Sequence, residues 1–96
     1  LYNTGMSQRR FAIKRDLALL KQRCNAQMII VYEGGMFRCD EHFVSYSNLL
    51  QDNDVILDVN TTPIKIVDAK DFQDTVFKQH RMIMNEYAEE YKKIVQ

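Results

Sequence analysis

Two short apolar runs alternate with polar residues on either side of Asn60-Thr61-Thr62-Pro63, in the segment "DVILDVNTTPIKIVD". Period-two alternation broken by turn-forming residues predicts a β-hairpin. A four-residue loop sets Val59 opposite Ile64 and Leu57 opposite Ile66, with Asp58 facing Lys65 across the other side. This register places Leu57, Val59, Ile64 and Ile66 on the core face. An earlier stretch, "QMIIVYEGGMFRC", has the same character. Its Gly34-Gly35 pair suits a two-residue turn at positive φ, which puts Tyr32 opposite Phe37 and Ile30 opposite Cys39. Ile29 and Val31 point the other way, so this strand is expected to be covered on both sides. Between the hairpins, "HFVSYSNLLQDND" reads as a short strand through Tyr46, followed by a turn or a single helical turn capped by Ser47.

The period changes to helical at both ends. Ser7 is a good N-cap for a helix from Gln8 to Cys24, whose Met6, Ile13, Leu17, Leu20 and Cys24 fall within about 40° of arc at 100° per residue. That stripe is narrow but sufficient to dock on a sheet. At the other end, Asp68 with Asp71 three residues later opens a helix that neither glycine nor proline interrupts before Gln96. About 27 residues at ~1.5 Å give roughly 40 Å, longer than a compact domain of this size requires. Phe72, Val76, Ile83, Tyr87 and Ile94 form one stripe on it. Phe77, His80, Met84, Tyr87, Tyr91 and Ile94 recur at alternating spacings of three and four, a heptad-like seam. Together they span an arc of roughly 140°, wider than one sheet contact needs.

The order is therefore helix, hairpin, short strand, hairpin, long helix: an α+β fold with a small, mainly antiparallel sheet and both helices on one face. The 96 residues make a single domain, residues 1–96. Leu1–Gly5, ahead of Met6, read as a disordered leader or an expression remnant outside the fold.

Composition sharpens this picture in two places. Net charge is zero, yet residues 1–27 carry six bases against the single acid Asp16, and the remainder carries the opposite excess. Arg10, Lys14 and Lys21 cluster on one flank of the first helix, with Phe11 and Arg15 further round. This set is a candidate nucleic-acid surface: phosphate-pairing bases with an aromatic for stacking. The acidic remainder of the chain and a pI near 6.9 weigh against it. The two cysteines, Cys24 and Cys39, are too few for a disulfide scaffold and fit a reducing, cytoplasmic setting. No run approaches the ~18 apolar residues of a membrane span.

Candidate chemistry is thin. "CDEH", Cys39 to His42, gathers zinc-type ligands that Cys24 and His80 could complete, but only one close pair is present where structural zinc sites show two. The same Cys39 and His42 are poorly placed as nucleophile and base if strand alternation sends them to opposite faces. "DNDVILDVN" lacks the glycine and closing glutamate of a calcium loop. Gly34-Gly35 leads into a strand with no lysine, unlike a phosphate loop. No catalytic residue, metal site, cofactor or small-molecule substrate emerges. The chain reads as a non-enzymatic protein-interaction or assembly module acting through its C-terminal helix. Phe77, Met84, Tyr87, Tyr91 and Ile94 are its partner-binding residues, for another protein or a second copy. The alternative is a nucleic-acid-binding accessory factor that uses the basic helix. Compact accessory proteins of phages have this size and texture.

Overall fold

The computed structural model describes residues 4–96, with side chains from Gln8 onward. In chain order the elements are α1 (Thr4–Gln27), β1 (Ile29–Tyr32), β2 (Gly35–Arg38), α2 (Glu41–Ser47), β3 (Asp54–Leu57), β4 (Pro63–Ile66) and α3 (Ala69–Val95). The α+β class is as expected. The strands form two separate two-stranded antiparallel sheets rather than one.

The helix boundaries follow from capping. α3 starts where Asp68 turns its carboxylate onto the Asp71 N–H at 3.0 Å, satisfying a donor the helix cannot use internally. α1 begins at Thr4, so Ser7 lies within the helix and is not its cap, and Thr4 and Gly5 belong to the fold. The rest of the leader, and the side chains of Met6 and Ser7, lie outside the described residues. α2 replaces the expected short strand. Asp40 accepts from the Phe43 N–H at 2.8 Å and starts a helix that turns Phe43, Val44 and Ser47 inward. Spacings of three and four, capped by an aspartate, outweigh the β propensity of "HFVSY".

Both hairpins depart in register from the sequence reading. In the first, Glu33 and Gly34 form the turn, with φ of 50° and 79°, and Ile30 pairs with Phe37. The shift is two residues, so Ile30, Tyr32, Phe37 and Cys39 still share the core side. Gly35 opens β2 for a different reason than turn geometry. A Cβ there would lie 2.7 Å from Ile64 Cγ1 and 2.9 Å from Phe37 Cε2, so the lack of a side chain lets the two hairpins approach. Gly35→Ala should therefore cost about 1–3 kcal/mol in a denaturant titration, with the strain falling on buried Ile64 and Phe37. The other side of this hairpin is not covered on both sides as expected: Val31 is exposed and Ile29 only half-buried.

In the second hairpin the loop is one residue shorter than expected. Asp58 N–H donates to the Thr62 carbonyl at 3.0 Å, which leaves Val59–Thr61 as a three-residue loop with Thr61 at φ 59°. Ile56 consequently pairs with Ile64, and Asp54 with Ile66. Changing the loop by an odd number flips one strand. Ile64 and Ile66 are buried as expected, but in β3 the core residue is Ile56, 5% exposed, while Leu57 is 60% exposed and Val59 also faces solvent. The expected Asp58–Lys65 pair does not form; Asp58 is turned inward instead.

The core gathers Phe37, Cys39, Leu50, Ile56, Ile64, Ile66, Phe72 and Val76. Phe72, in the first turns of α3, is its centre: its ring meets Tyr32 edge-on at 4.8 Å, Phe37 at 5.1 Å and Phe43 at 5.9 Å. α1 docks chiefly along α3, not on a sheet. The result is elongated, 66 × 23 × 17 Å with a radius of gyration of 18.3 Å, well beyond the ~13 Å of a compact chain this long. A small hairpin core carries a two-helix arm.

Candidate functional site

The arm is antiparallel. At its base Gln79 Nε2 donates to the Gln27 carbonyl at 3.3 Å, and further out Arg23 faces Glu90 at 4.0 Å. Ile83 and Leu20 are buried at the seam, and Cys24 and Tyr87 line the cleft with them. From Gln27 back to Thr4, α1 runs ~35 Å; from Gln79 to Val95, α3 runs ~24 Å, so the tip of α1 extends about 10 Å past the end of α3.

The proposed partner residues divide into two groups. Tyr87 and Ile94 are half-buried, Tyr87 in the cleft it shares with α1, while Phe77, Met84 and Tyr91 are each more than 40% exposed. The exposed three repeat every seven residues and lie about 100° round α3 from the buried line of Phe72, Val76 and Ile83, with Ala88 and Val95 beside them. The Arg81 guanidinium covers the Phe77 ring at 4.6 Å, and Tyr87 stacks on Tyr91 at 6.1 Å. Met82, also exposed, sits on the opposite flank.

The proposed nucleic-acid residues Arg10, Phe11, Lys14, Arg15 and Lys21 are all exposed, and Phe11 is the barest at 78%. They do not form one surface. Arg10, Lys14 and Lys21 line one flank of α1 and have no ion pair among the described residues. Arg15 is engaged by Asp16 at 3.2 Å, and both it and Phe11 point away from the seam.

Cys39 and His42 are not brought together. Cys39 is completely buried, its thiol donating to the Met28 carbonyl at 2.9 Å, whereas His42 is exposed in the first turn of α2. Burial pushes the Cys39 thiol up, the reverse of what an activated nucleophile needs. His80 donates from Nδ1 to the Cys39 carbonyl at 3.0 Å, fastening α3 to the end of β2. Among the described residues no three His, Cys, Asp or Glu side chains are grouped as a metal shell would be. Asp54 closes its own turn by accepting from the Gln51 N–H, and Asp52 reaches the first residue of α3, accepting from the Ala69 N–H.

Sequence reasoning missed two features. Asp58 is a structural clamp: Oδ1 accepts from the Asn60 and Thr62 N–H groups and Oδ2 from Met36 N–H, each at 2.9 Å. It ties the loop of one hairpin to the edge of the other. Aspartate two residues before "NTT" is an Asx-turn signal that could have revealed it. The backbone donors, Met36 first, hold its carboxyl below the usual carboxylate range. A carboxylate with a lowered folded pKa gives stability that is fully present above its unfolded value, near pH ~4, and is lost as pH falls through the folded value. Denaturant midpoints should therefore fall on acidification below about pH 4, and Asp58→Asn should show a flatter profile over the same window. The second missed feature is a shallow groove where β2 and β3 splay. Leu57, Val59 and Phe43 line it, and it is closed at one end by the Val59 N–H donating to the Met36 carbonyl at 2.9 Å.

Comparison with protein-family models, with curated proteins and with solved structures finds no match to this chain.

Proposed function

We propose that this protein is a small, non-enzymatic interaction or assembly module whose working part is the two-helix arm. One observation carries the reading: Phe77, Met84 and Tyr91 form a seven-residue repeat along an exposed flank of a helix that reaches beyond the core. Contiguous aromatic and methionine surface of this kind marks interaction sites on soluble proteins. A heptad repeat is the form in which one helix receives another. The buried Cys39 and the separated His42 offer no paired acid, base or nucleophile, which favours binding over chemistry. Free thiols at Cys24 and Cys39 suit a reducing, cytoplasmic setting.

Solution mass by light scattering, over a range of concentrations and salt, tests this reading against the Met84→Asp variant. A second copy on the arm gives a dimer mass that Met84→Asp reduces to monomer, while the far-UV CD spectrum is unchanged. Added single-stranded DNA or RNA tests the alternative, which rests on the exposed flank of Arg10, Lys14 and Lys21. Binding there must weaken steeply with salt and be reduced by Lys14→Glu and Lys21→Glu.

A further inference from the structure

The antiparallel packing of the arm fixes which flanks of the two helices share a face. Viewed down α3 from its N-terminus, successive residues turn clockwise; α1 runs the other way, so its residues turn counter-clockwise. The flank about +100° from the seam on α3 and the flank about +70° from the seam on α1 therefore lie on the same side of the arm. On α3 that flank is Phe77, Met84 and Tyr91; on α1 it is Arg10, Lys14 and Lys21. The Arg23–Glu90 contact is compatible with this geometry: Arg23 lies about 90° to the negative side of its seam and reaches Glu90, which lies on the seam line of α3 itself, at the same angle as Phe72. Glu86 and Glu89 lie on that same opposite side, lining its cleft with Arg23.

Charge is thus sorted across the arm. The face with the apolar stripe is bordered by Arg10, Lys14 and Lys21 on α1 and by Arg81 and Lys92 on the outer flank of α3, and between Phe77 and Val95 it carries no acid; Asp74, one turn below Phe77 on the same outer flank, is paired with Lys70 at 3.5 Å. The acids of the distal arm are on the other face. We propose that this face receives an amphipathic helix with acidic flanks from a partner protein. The guest lies along the stripe as the third helix of a bundle and sets its carboxylates against the two basic borders. This rests on the arm being a docking surface and adds the chemistry of its occupant.

Three features select that occupant. The stripe from Phe77 to Val95 is ~27 Å long, which matches about 18 residues of guest helix. Its centre is Phe, Met, Ala, Tyr and Val, on which the Tyr91 hydroxyl is the one group able to hydrogen-bond a base edge or phosphate. Its two aromatics, Phe77 and Tyr91, are about 21 Å apart along the helix, too far for successive bases to stack on both, so nucleic acid would meet the borders and leave most of the middle unused. A second copy docked two-fold through the same face would oppose basic borders with basic borders, and like charges across an interface are a device against pairing. Acidic borders on the guest answer every charge.

The test uses the full-length chain and two labelled synthetic peptides of about three heptads, each with leucine at a and d. One carries glutamate at e and g and the other lysine. Like-charge repulsion keeps each peptide from pairing with itself. In fluorescence anisotropy at moderate salt the glutamate peptide should bind at least about tenfold more tightly than the lysine peptide. Met84→Asp should abolish binding, and Lys14→Glu with Lys21→Glu should narrow or reverse the preference; all three positions are exposed, so CD should show the fold intact. Equal binding of the peptides, or none, overturns the acidic-helix proposal. So does glutamate-peptide binding that survives Met84→Asp, since that is charge attraction without the stripe. If no peptide binds but light scattering shows self-association lost in Met84→Asp, the arm remains a docking surface and its occupant is a second copy. Competition in which single-stranded DNA alone binds overturns the proposal in favour of nucleic acid. If no assembly or binding responds to Met84→Asp, the arm reading falls with it.

Discussion

Phe72→Ala is expected to remove about 3–5 kcal/mol of stability, the largest loss from any single truncation in this chain. Phe72 is fully buried, and its ring is in contact with three other aromatic rings, each from a different segment. Tyr32 ends β1, Phe37 is in β2 and Phe43 opens α2, so one side chain joins the first hairpin, the short helix and the root of α3. Tyr32 also donates its hydroxyl to Asp71 at 2.7 Å, and that bond holds its ring over Phe72. Alanine leaves a void bounded by rigid rings that cannot collapse into it, which is the costly case. Domains of this size have about 5–15 kcal/mol to lose. Chemical denaturation should show a midpoint lowered by about a fifth to the whole of its wild-type value, at unchanged slope. A loss below about 1 kcal/mol would mean that the ring cluster is incidental to the core.

What was legible in the sequence follows the range of the interactions involved. α3 could be read in full because its determinants are local: Asp68 meets the Asp71 N–H within one turn, and no breaker intervenes before the end. Both hairpins were legible as hairpins, because alternation and turn residues are local too. Register was not, because one residue of loop length decides it. The true second loop is fixed by Asp58, whose third bond goes to Met36, 22 positions earlier. Leu57 and Ile56 exchanged places for that reason alone. α2 was missed because "HFVSY" has strand-like residues, and the Asp40 cap was read only as part of a ligand cluster. The exposed triplet Phe77, Met84 and Tyr91 was visible as periodicity. That it lies beside Arg10, Lys14 and Lys21 could not be seen, since this depends on α1 returning antiparallel along α3.

The same dependence explains the uneven charge of the chain. α1 has little amphipathic contrast of its own: its bases point in several directions, and among its described side chains only Leu20 is fully buried. Set against α3, however, Arg23 meets the acidic side, and Arg10, Lys14 and Lys21 border the apolar one. α1 supplies half of a surface more than it supplies core.

It follows that α1 should be separable from the rest, and Leu20→Asp should release it. The carboxylate would be buried at the seam beside Ile83 and Tyr87, in a cleft whose one base, Arg23, already faces Glu90 and which Glu86 and Glu89 also line, and burial of a charge there costs several kcal/mol, more than this single-residue anchor can absorb. α1 holds 24 residues of helix against 27 in α3 and seven in α2, so its release and melting removes up to roughly two-fifths of the helical CD signal. Hydrogen exchange should show the amides of α1 unprotected, and α3 beyond Ile83 loosened with them. The amides around Phe37, Ile56, Ile66 and Phe72 should keep most of their protection, because the aromatic cluster and both hairpins lie below the seam. The glutamate-flanked peptide should lose its preference over the lysine-flanked one in this variant, since Lys14 and Lys21 no longer border the stripe. If the hairpin amides exchange together with those of α1, arm and core unfold as one unit, and the helix that completes the basic face is also part of what holds the protein together.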